Sequence, residues 1–210
     1  MSTLSGFEID TITDILNVGL TKAAETLSFF MNEKISIEAF DFKIETLDLY
    51  EKNLKVKPDS KYILTTEVKG DIKGYCYLVF SKADTTKLFE LGLPKNLLPQ
   101  SQEFETMSTA LLLELDNIVS ASVITQFSNL LNSKMHGGIP SLYDASKNSV
   151  SQKEFFGHDL EDSYILNFKS KFLPSTCEEN FSPEFIWILT PTFVEKVKES
   201  IARNNKLTIS

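Results

Sequence analysis

The chain has 210 residues and a mass of 23.7 kDa, and 42% of its residues are hydrophobic, so it can bury a core as one large domain or two small ones. Acidic residues outnumber basic ones by 29 to 21, which argues against a nucleic-acid or anionic-membrane partner, since both need basic surface. Arg203 is the single arginine, which excludes a multi-arginine phosphate clamp. Two His and two Cys argue against a zinc site, so we expect no metal or cofactor of the protein's own.

The start of the chain, MSTLSGFEID, lacks the basic residues and apolar run of a signal peptide. No stretch approaches the length of about 18 uncharged apolar residues that a membrane-spanning helix needs. We therefore expect a cytoplasmic protein without membrane insertion.

The predicted elements occur in nearly the same order in both halves of the chain. Apolar steps of three or four predict helices, alternation predicts strands, and Gly and Pro mark their ends. The first half has a long helix over 8–32, one or two strands over 34–49, a polar connection over 53–61, a hairpin of 62–68 and 74–80, and a short helix from Ser81 to Leu91. After a linker over 94–102, the second half has a long helix over 103–132, a Gly/Pro-rich segment over 134–143, a polar loop over 144–162, strands over 163–172 and 185–189, and a last helix from Pro191 to about Asn204.

An offset of 100 residues aligns the two long helices. DILNVGLTKAAETLSFFMNEK then lies over ELDNIVSASVITQFSNLLNSK, with most apolar positions kept and identities at residues 17/117, 28/128, 32/132 and 34/134. Together with the repeated element order, this predicts an internal duplication. We expect one domain over 1–210, made of two repeats (8–93 and 103–204) related by a pseudo-two-fold axis. The predicted fold class is α/β (α+β type), with two long helices packed on a mostly antiparallel sheet and additional short helices.

Each long helix carries a polar face. At about 100° per residue, Asp10, Asp14 and Asn17 share one side of the first helix. Glu114 and Asn117 occupy the equivalent side of the second helix. One such acid–amide pair is ordinary solvated surface, but the same pair at the same place in both repeats indicates a function, because Asn is a mediocre residue inside a helix.

Asp116 stands apart from that polar face. It lies at the angle of the apolar stripe of its helix, where the first helix has Leu16. A buried carboxylate without a partner would be costly. We therefore expect Asp116 to have a structural role, paired or partly hydrated, rather than a functional one.

An acid-x-x-Asn motif on two long helices, with the hairpin sequence KGDIKGYCYLVF between them, resembles the CheC/CheX/FliY family of chemotaxis phosphatases. The motif of that family is [Asp/Ser]-x3-Glu-x2-Asn, followed by a downstream proline. In the first repeat Asp14 replaces the Glu and Ala39 stands at the proline position. In the second repeat the core pair is intact, Ala110 replaces the leading Asp/Ser, and Pro140 lies one residue beyond the expected spacing.

The resemblance implies a phosphatase that hydrolyses the aspartyl phosphate of a CheY-like response regulator. The regulator would bring the phosphoryl group, a Mg²⁺ ion and a Lys. The acid of the phosphatase would pair with that Lys, and its Asn amide would orient the attacking water. The implied catalytic residues are Glu114, Asn117, Asp14 and Asn17, with Asp10 and Pro140 in support. A CheD-like protein is a second implied partner, and a duplicated chain predicts a monomer.

A second hypothesis keeps the fold without the catalysis. In this alternative, the chain is a non-catalytic interaction module that binds a response regulator or a CheD-type partner. The departures at Asp14, Ala39 and Ala110 favour it. A metal-dependent or nucleophile-dependent hydrolase is a third hypothesis, but it needs residues that the chain largely lacks.

Overall fold

The computed structural model describes residues 4–46, 60–145, 162–176 and 180–207. Most of the predicted polar connection and of the predicted loop over 144–162 lies outside these ranges. The elements, in chain order, are α1 (Gly6–Phe30), β1 (Ile35–Thr46), β2 (Ser60–Gly70), β3 (Gly74–Ser81), α2 (Lys82–Gly92), α3 (Gln102–Leu131), β4 (Met135–Gly137), β5 (Ser141–Asp144), β6 (Tyr164–Pro174), β7 (Glu184–Leu189) and α4 (Thr192–Leu207).

Capping boxes begin α1 and α2. The Ser5 hydroxyl accepts the amide N–H of Glu8 at 3.3 Å, and the Glu8 carboxylate accepts the amide N–H of Ser5 at 2.6 Å. Ser81 and Asp84 form the same reciprocal pair at the start of α2. A capping box satisfies backbone N–H groups that the first turn leaves unpaired. The start predicted for the short helix at Ser81 is therefore confirmed, with Ser81 as its N-cap, whereas α1 begins two residues before the predicted start.

The long helices α1 and α3 end in the same way. Asn32 and Asn132 both have φ of 50°, a left-handed conformation that Asn tolerates better than most residues. In each case the next residue donates its amide N–H to the serine carbonyl four positions before the Asn, at 3.1 Å for Ser28 and 3.0 Å for Ser128. Two of the four identities between the helices thus have equivalent structural roles, which supports the predicted duplication.

Within the described residues, seven strands form one sheet in the order β1-β6-β7-β3-β2-β4, and β5 also pairs with β2. Every pairing is antiparallel. The order is symmetric: if β1 is exchanged with β4 and β5, β2 with β6, and β3 with β7, the same order is obtained when the sheet is read from its other edge. The predicted α/β class, with two long helices on an antiparallel sheet, is confirmed. The duplication and its repeat boundaries stay predictions, which this symmetric strand order supports.

The main core lies between the two long helices and one face of the sheet. The helices approach closely at Gly19, where an added Cβ would lie 2.8 Å from Val123 Cα. Large side chains from helices and strands fill this layer: Phe80, Phe127, Phe168, Phe172, Phe181, Trp187 and Phe193 are all fully buried. Alternate strand residues point to the opposite face, where a smaller cluster includes Tyr77 and Ile188.

Two predicted elements differ in the structure. The Gly/Pro-rich segment over 134–143 forms the short edge strands β4 and β5. Pro191, predicted as the first residue of the last helix, directly precedes α4, and its carbonyl accepts the N–H groups of Val194 and Glu195. The one-residue error arises because the fixed φ and missing N–H of proline suit the helix entry as well as the first turn.

Among the described helices, α3 is long and apolar enough by length and composition to cross a membrane, and half of its most apolar window is buried in the protein. The core helix of a soluble protein satisfies the same criteria, so this property is weak evidence for a membrane span. The packing of α3 against both α1 and the sheet explains its apolar sequence.

Candidate functional site

The predicted residues of the second repeat line a groove beside α3. Its volume is about 360 Å³, and it is lined by Ala110, Leu113, Glu114, Asn117, Gly138, Ile139 and Pro140. One wall is the face of α3, and the other is the loop over 138–140 between β4 and β5. The fold thus brings the predicted acid–amide pair together with the predicted supporting residue Pro140.

The pair itself is accessible and uncommitted. Asn117 is exposed and Glu114 is half-buried, and residues three apart on a helix project from the same side. Neither side chain forms a hydrogen bond or ion pair with any residue in the described part of the chain. Both groups are therefore available to a partner that enters the groove.

The first repeat presents its polar residues on the exposed face of α1. Asp10, Asp14 and Asn17 are all exposed, and their side chains likewise have no partner among the described residues. Ala39, at the proline position, lies on β1 and packs half-buried against the core. The two faces share an amide and a carboxylate, but they differ in acid length and in the presence of a nearby proline.

The loop wall of the groove is fixed to β2. The Gly138 amide donates a hydrogen bond of 2.7 Å to the Glu67 carbonyl, and Gly137 pairs with Val68 in the ladder between β4 and β2. Ile139, at the tip of this loop, is 94% exposed. No motif or spacing selects Ile139, and its one distinguishing feature is that it is an apolar residue between Gly138 and Pro140.

A buried polar contact lies behind the pair. Asp116 is 2% exposed, and its Oδ2 accepts a hydrogen bond of 2.7 Å from the Thr66 hydroxyl on β2. Burial raises the pKa of Asp116 to about 7, although the Thr66 hydrogen bond acts in the opposite direction. Burial also raises the pKa of the neighbouring Cys76 thiol, with a further contribution from the Asp116 charge. Asp116 is therefore buried and paired, as its position on the apolar stripe predicts.

The residues that line the groove can position reacting groups, but they include no side chain that is a typical nucleophile. The groove holds a carboxylate and an amide, with no Ser, Cys or His among its lining residues. In the described part of the chain, no cluster of three His, Cys, Asp or Glu residues is arranged to hold a metal ion. A carboxylate can pair with a cation, and an amide can hold a water molecule by hydrogen bonds.

No family model and no curated protein sequence matches this chain, but solved structures match its fold over nearly the whole length. FliY of Thermotoga maritima is 17% identical, with a TM-score of 0.69 over 96% of this chain and 99% of that chain. FliM in the FliM–SpeE complex of H. pylori is 12% identical, with a TM-score of 0.63 over 94% and 98%. CheX in the CheX–CheY–BeF3–Mg²⁺ complex of Borrelia burgdorferi is 12% identical, with a TM-score of 0.54 over 87% and 97%.

These similarities define the class of fold. The chain has the fold of the CheC/CheX/FliY fold family, in agreement with the resemblance carried by its acid-x-x-Asn motifs. At these identities the comparison establishes the architecture.

Proposed function

We propose that this protein is a chemotaxis phosphatase that hydrolyses the aspartyl phosphate of a CheY-like response regulator. The observation that carries the proposal is that Glu114 and Asn117 lie together in a groove completed by Pro140, and that neither side chain has a hydrogen-bond or ion-pair partner among the described residues. The fold is that of CheX, whose structure in complex with CheY is among the matches. We further propose that the protein acts in the cytoplasm as a monomer.

The proposed reaction needs little equipment from this chain. The regulator brings the phosphoryl group, its Mg²⁺ and a Lys. Glu114 pairs with that Lys, and the Asn117 amide holds a water molecule in line with the phosphorus. The water attacks the phosphorus, the bond from phosphorus to the aspartyl oxygen breaks, and inorganic phosphate is released while the aspartate carboxylate is regenerated. Positioning is an effective source of acceleration for a labile acyl phosphate, so no nucleophile or cofactor of the chain's own is required.

The second repeat is the stronger candidate for catalysis. Asp14 is one methylene shorter than Glu114, which withdraws its carboxylate oxygens by about 1.3–1.5 Å on the scale of a C–C bond. Misplacement of about 1 Å can cost on the order of 100-fold in rate. We propose that Asp14 and Asn17 form a weaker second site, with Asp10 in support.

A non-catalytic interaction module is the alternative function. The fold is also that of FliM, whose matched structures include complexes with FliG and with SpeE. The departures at Asp14, Ala39 and Ala110 fit a chain that has lost catalytic residues. In this alternative the groove binds a response regulator or a CheD-like protein without accelerating phosphate release.

One assay separates the two functions. A radiolabelled, phosphorylated CheY-type regulator is mixed with Mg²⁺ and this protein, and the decay of the acyl phosphate is followed. Faster decay than the spontaneous rate supports the phosphatase, and binding without acceleration supports the module. Asn129→Ala is the matched control, because Asn129 is exposed on α3 about three turns beyond Asn117 and should leave the rate unchanged.

A further inference from the structure

The two walls of the groove meet behind it at one threonine. Thr66 on β2 is 1% exposed, and its hydroxyl donates to Asp116, the residue that precedes Asn117 on α3. Its methyl group lies beneath the strand that leads into the loop wall: a Cβ added at Gly137 would lie 3.2 Å from Thr66 Cγ2. One side chain therefore contacts both the helix and the strand that form the groove.

The backbone next to Thr66 also holds the loop wall. The Glu67 carbonyl accepts the Gly138 amide at 2.7 Å. A displacement of Thr66 relative to α3 would therefore move Gly138, and with it the loop residues that face Asn117.

Packing alone does not require a carboxylate at position 116. The aligned residue of α1 is Leu16, which is fully buried, so an apolar side chain serves at the equivalent position. A buried carboxylate carries a desolvation cost that an apolar residue avoids. A hydrogen bond also fixes direction and distance, whereas apolar packing is non-directional. Asp116 belongs to the second repeat, which is the one whose acid–amide pair is intact.

We propose that Thr66 and Asp116 are positioning residues, whose hydrogen bond fixes the width of the groove and holds the Asn117 amide at a set distance from the loop over 138–140. The expected effect on activity rests on the proposed phosphatase function. The expected effect on the loop does not, because the position of the loop is measurable in the absence of any substrate.

Three substitutions isolate the hydrogen bond. Thr66→Val keeps the shape of the side chain and removes the hydroxyl. Thr66→Ser keeps the hydroxyl and removes the methyl group. Asp116→Asn keeps an acceptor oxygen and removes the ionisable carboxyl group. If the hydrogen bond sets the groove, Thr66→Val loosens the loop, while Thr66→Ser and Asp116→Asn retain it.

Amide hydrogen exchange of the whole protein, read by NMR, tests the geometry without substrate. We expect the Gly138 amide to exchange about tenfold faster in Thr66→Val than in the wild type, as local opening of one hydrogen bond predicts. The Ile188 amide on the central strand β7 is the control for global unfolding. Equal acceleration at Gly138 and Ile188, or no acceleration at Gly138, would overturn the proposal.

Kinetics in an Asn17→Ala background, which leaves the second repeat as the acting site, provide the functional readout. We expect Thr66→Val to lower kcat about tenfold, with the KM for the phosphorylated regulator within about twofold of its parent, as for a group that acts in the transition state. Thr66→Ser should restore the rate. A loss confined to KM, or no rescue by Thr66→Ser, contradicts the proposal. If the parent itself gives no acceleration, the proposed function fails, and the exchange measurement alone decides the positioning role.

Discussion

Replacing Asp116 by Asn should change how the stability of this protein depends on pH. Asp116 is 2% exposed, and among the described residues its side chain has one hydrogen bond, accepted at 2.7 Å from the Thr66 hydroxyl. Burial raises the pKa of Asp116 from 3.8 to about 7. The amide of Asn has nearly the same shape and does not titrate between pH 4 and pH 8.

The magnitude and sign follow from proton linkage. Between pH 3.8 and about 7 the unfolded chain has lost the Asp116 proton, while the folded protein retains it. Unfolding then releases a proton, so the free energy of unfolding falls as pH rises, by about 1.4 kcal/mol for each pH unit. The full shift corresponds to a loss of about 4 kcal/mol by pH 8. The Asn variant lacks this loss.

Urea unfolding of the wild type and Asp116→Asn at pH 4.5, 6 and 8 measures the effect, and the fluorescence of Trp187, the single and fully buried tryptophan, reports unfolding. From pH 4.5 to pH 8 we expect the stability of the variant relative to the wild type to rise by about 3 kcal/mol, because part of the full effect is already present at pH 4.5. A constant cost of about 1 kcal/mol for the extra buried N–H groups shifts all three values equally.

The control for that experiment is Asp10→Asn, which removes an exposed carboxylate of α1 and should change the stability by less than about 0.5 kcal/mol. A difference between Asp116→Asn and the wild type that stays flat across the pH range, or that shrinks as pH rises, would refute the reasoning.

Two further predictions concern packing and thiol chemistry. Gly19→Ala should lower the free energy of unfolding by about 1–3 kcal/mol in urea titrations, because its Cβ would lie 2.8 Å from the Val123 backbone; Gly6→Ala, with no atom within 4 Å, should cause no such loss. In a Cys177→Ser protein, Cys76 should react with iodoacetamide at the rate of unfolding, because burial raises the pKa of its thiol and the thiolate is the reactive form. Fast labelling of the folded protein would contradict this.

The helices were the most predictable part of the fold. Apolar residues at helical spacing mark α1 and α3 over their 25 and 30 residues, because each helix buries one continuous stripe. Their ends depend on single residues: the Ser5–Glu8 capping box, whose spacing is visible in the sequence, starts α1 two residues before the position that the apolar stripe predicts. The edge strands β4 and β5 have three and four residues, too few for alternation to distinguish them from a Gly/Pro-rich connection.

In the candidate site too, local helix geometry was predictable and long-range contacts were not. Helix geometry alone places Glu114 beside Asn117, because residues three apart share a face. The contact between Asp116 and Thr66 joins residues 50 positions apart, and its partner depends on the register of β2 beneath α3. The helical angle of Asp116 predicted a buried carboxylate, but no local pattern identifies the hydroxyl that it binds.

The most direct test of the central claim compares Asn117→Ala and Asn17→Ala in the acyl-phosphate decay assay with a CheY-type regulator and Mg²⁺. Because Glu114 reaches farther than Asp14, we predict that Asn117→Ala loses most of the acceleration over spontaneous decay, that Asn17→Ala loses the smaller part, and that the double variant loses both. Equal losses, a larger loss in Asn17→Ala, or a double variant that still accelerates decay would contradict the account.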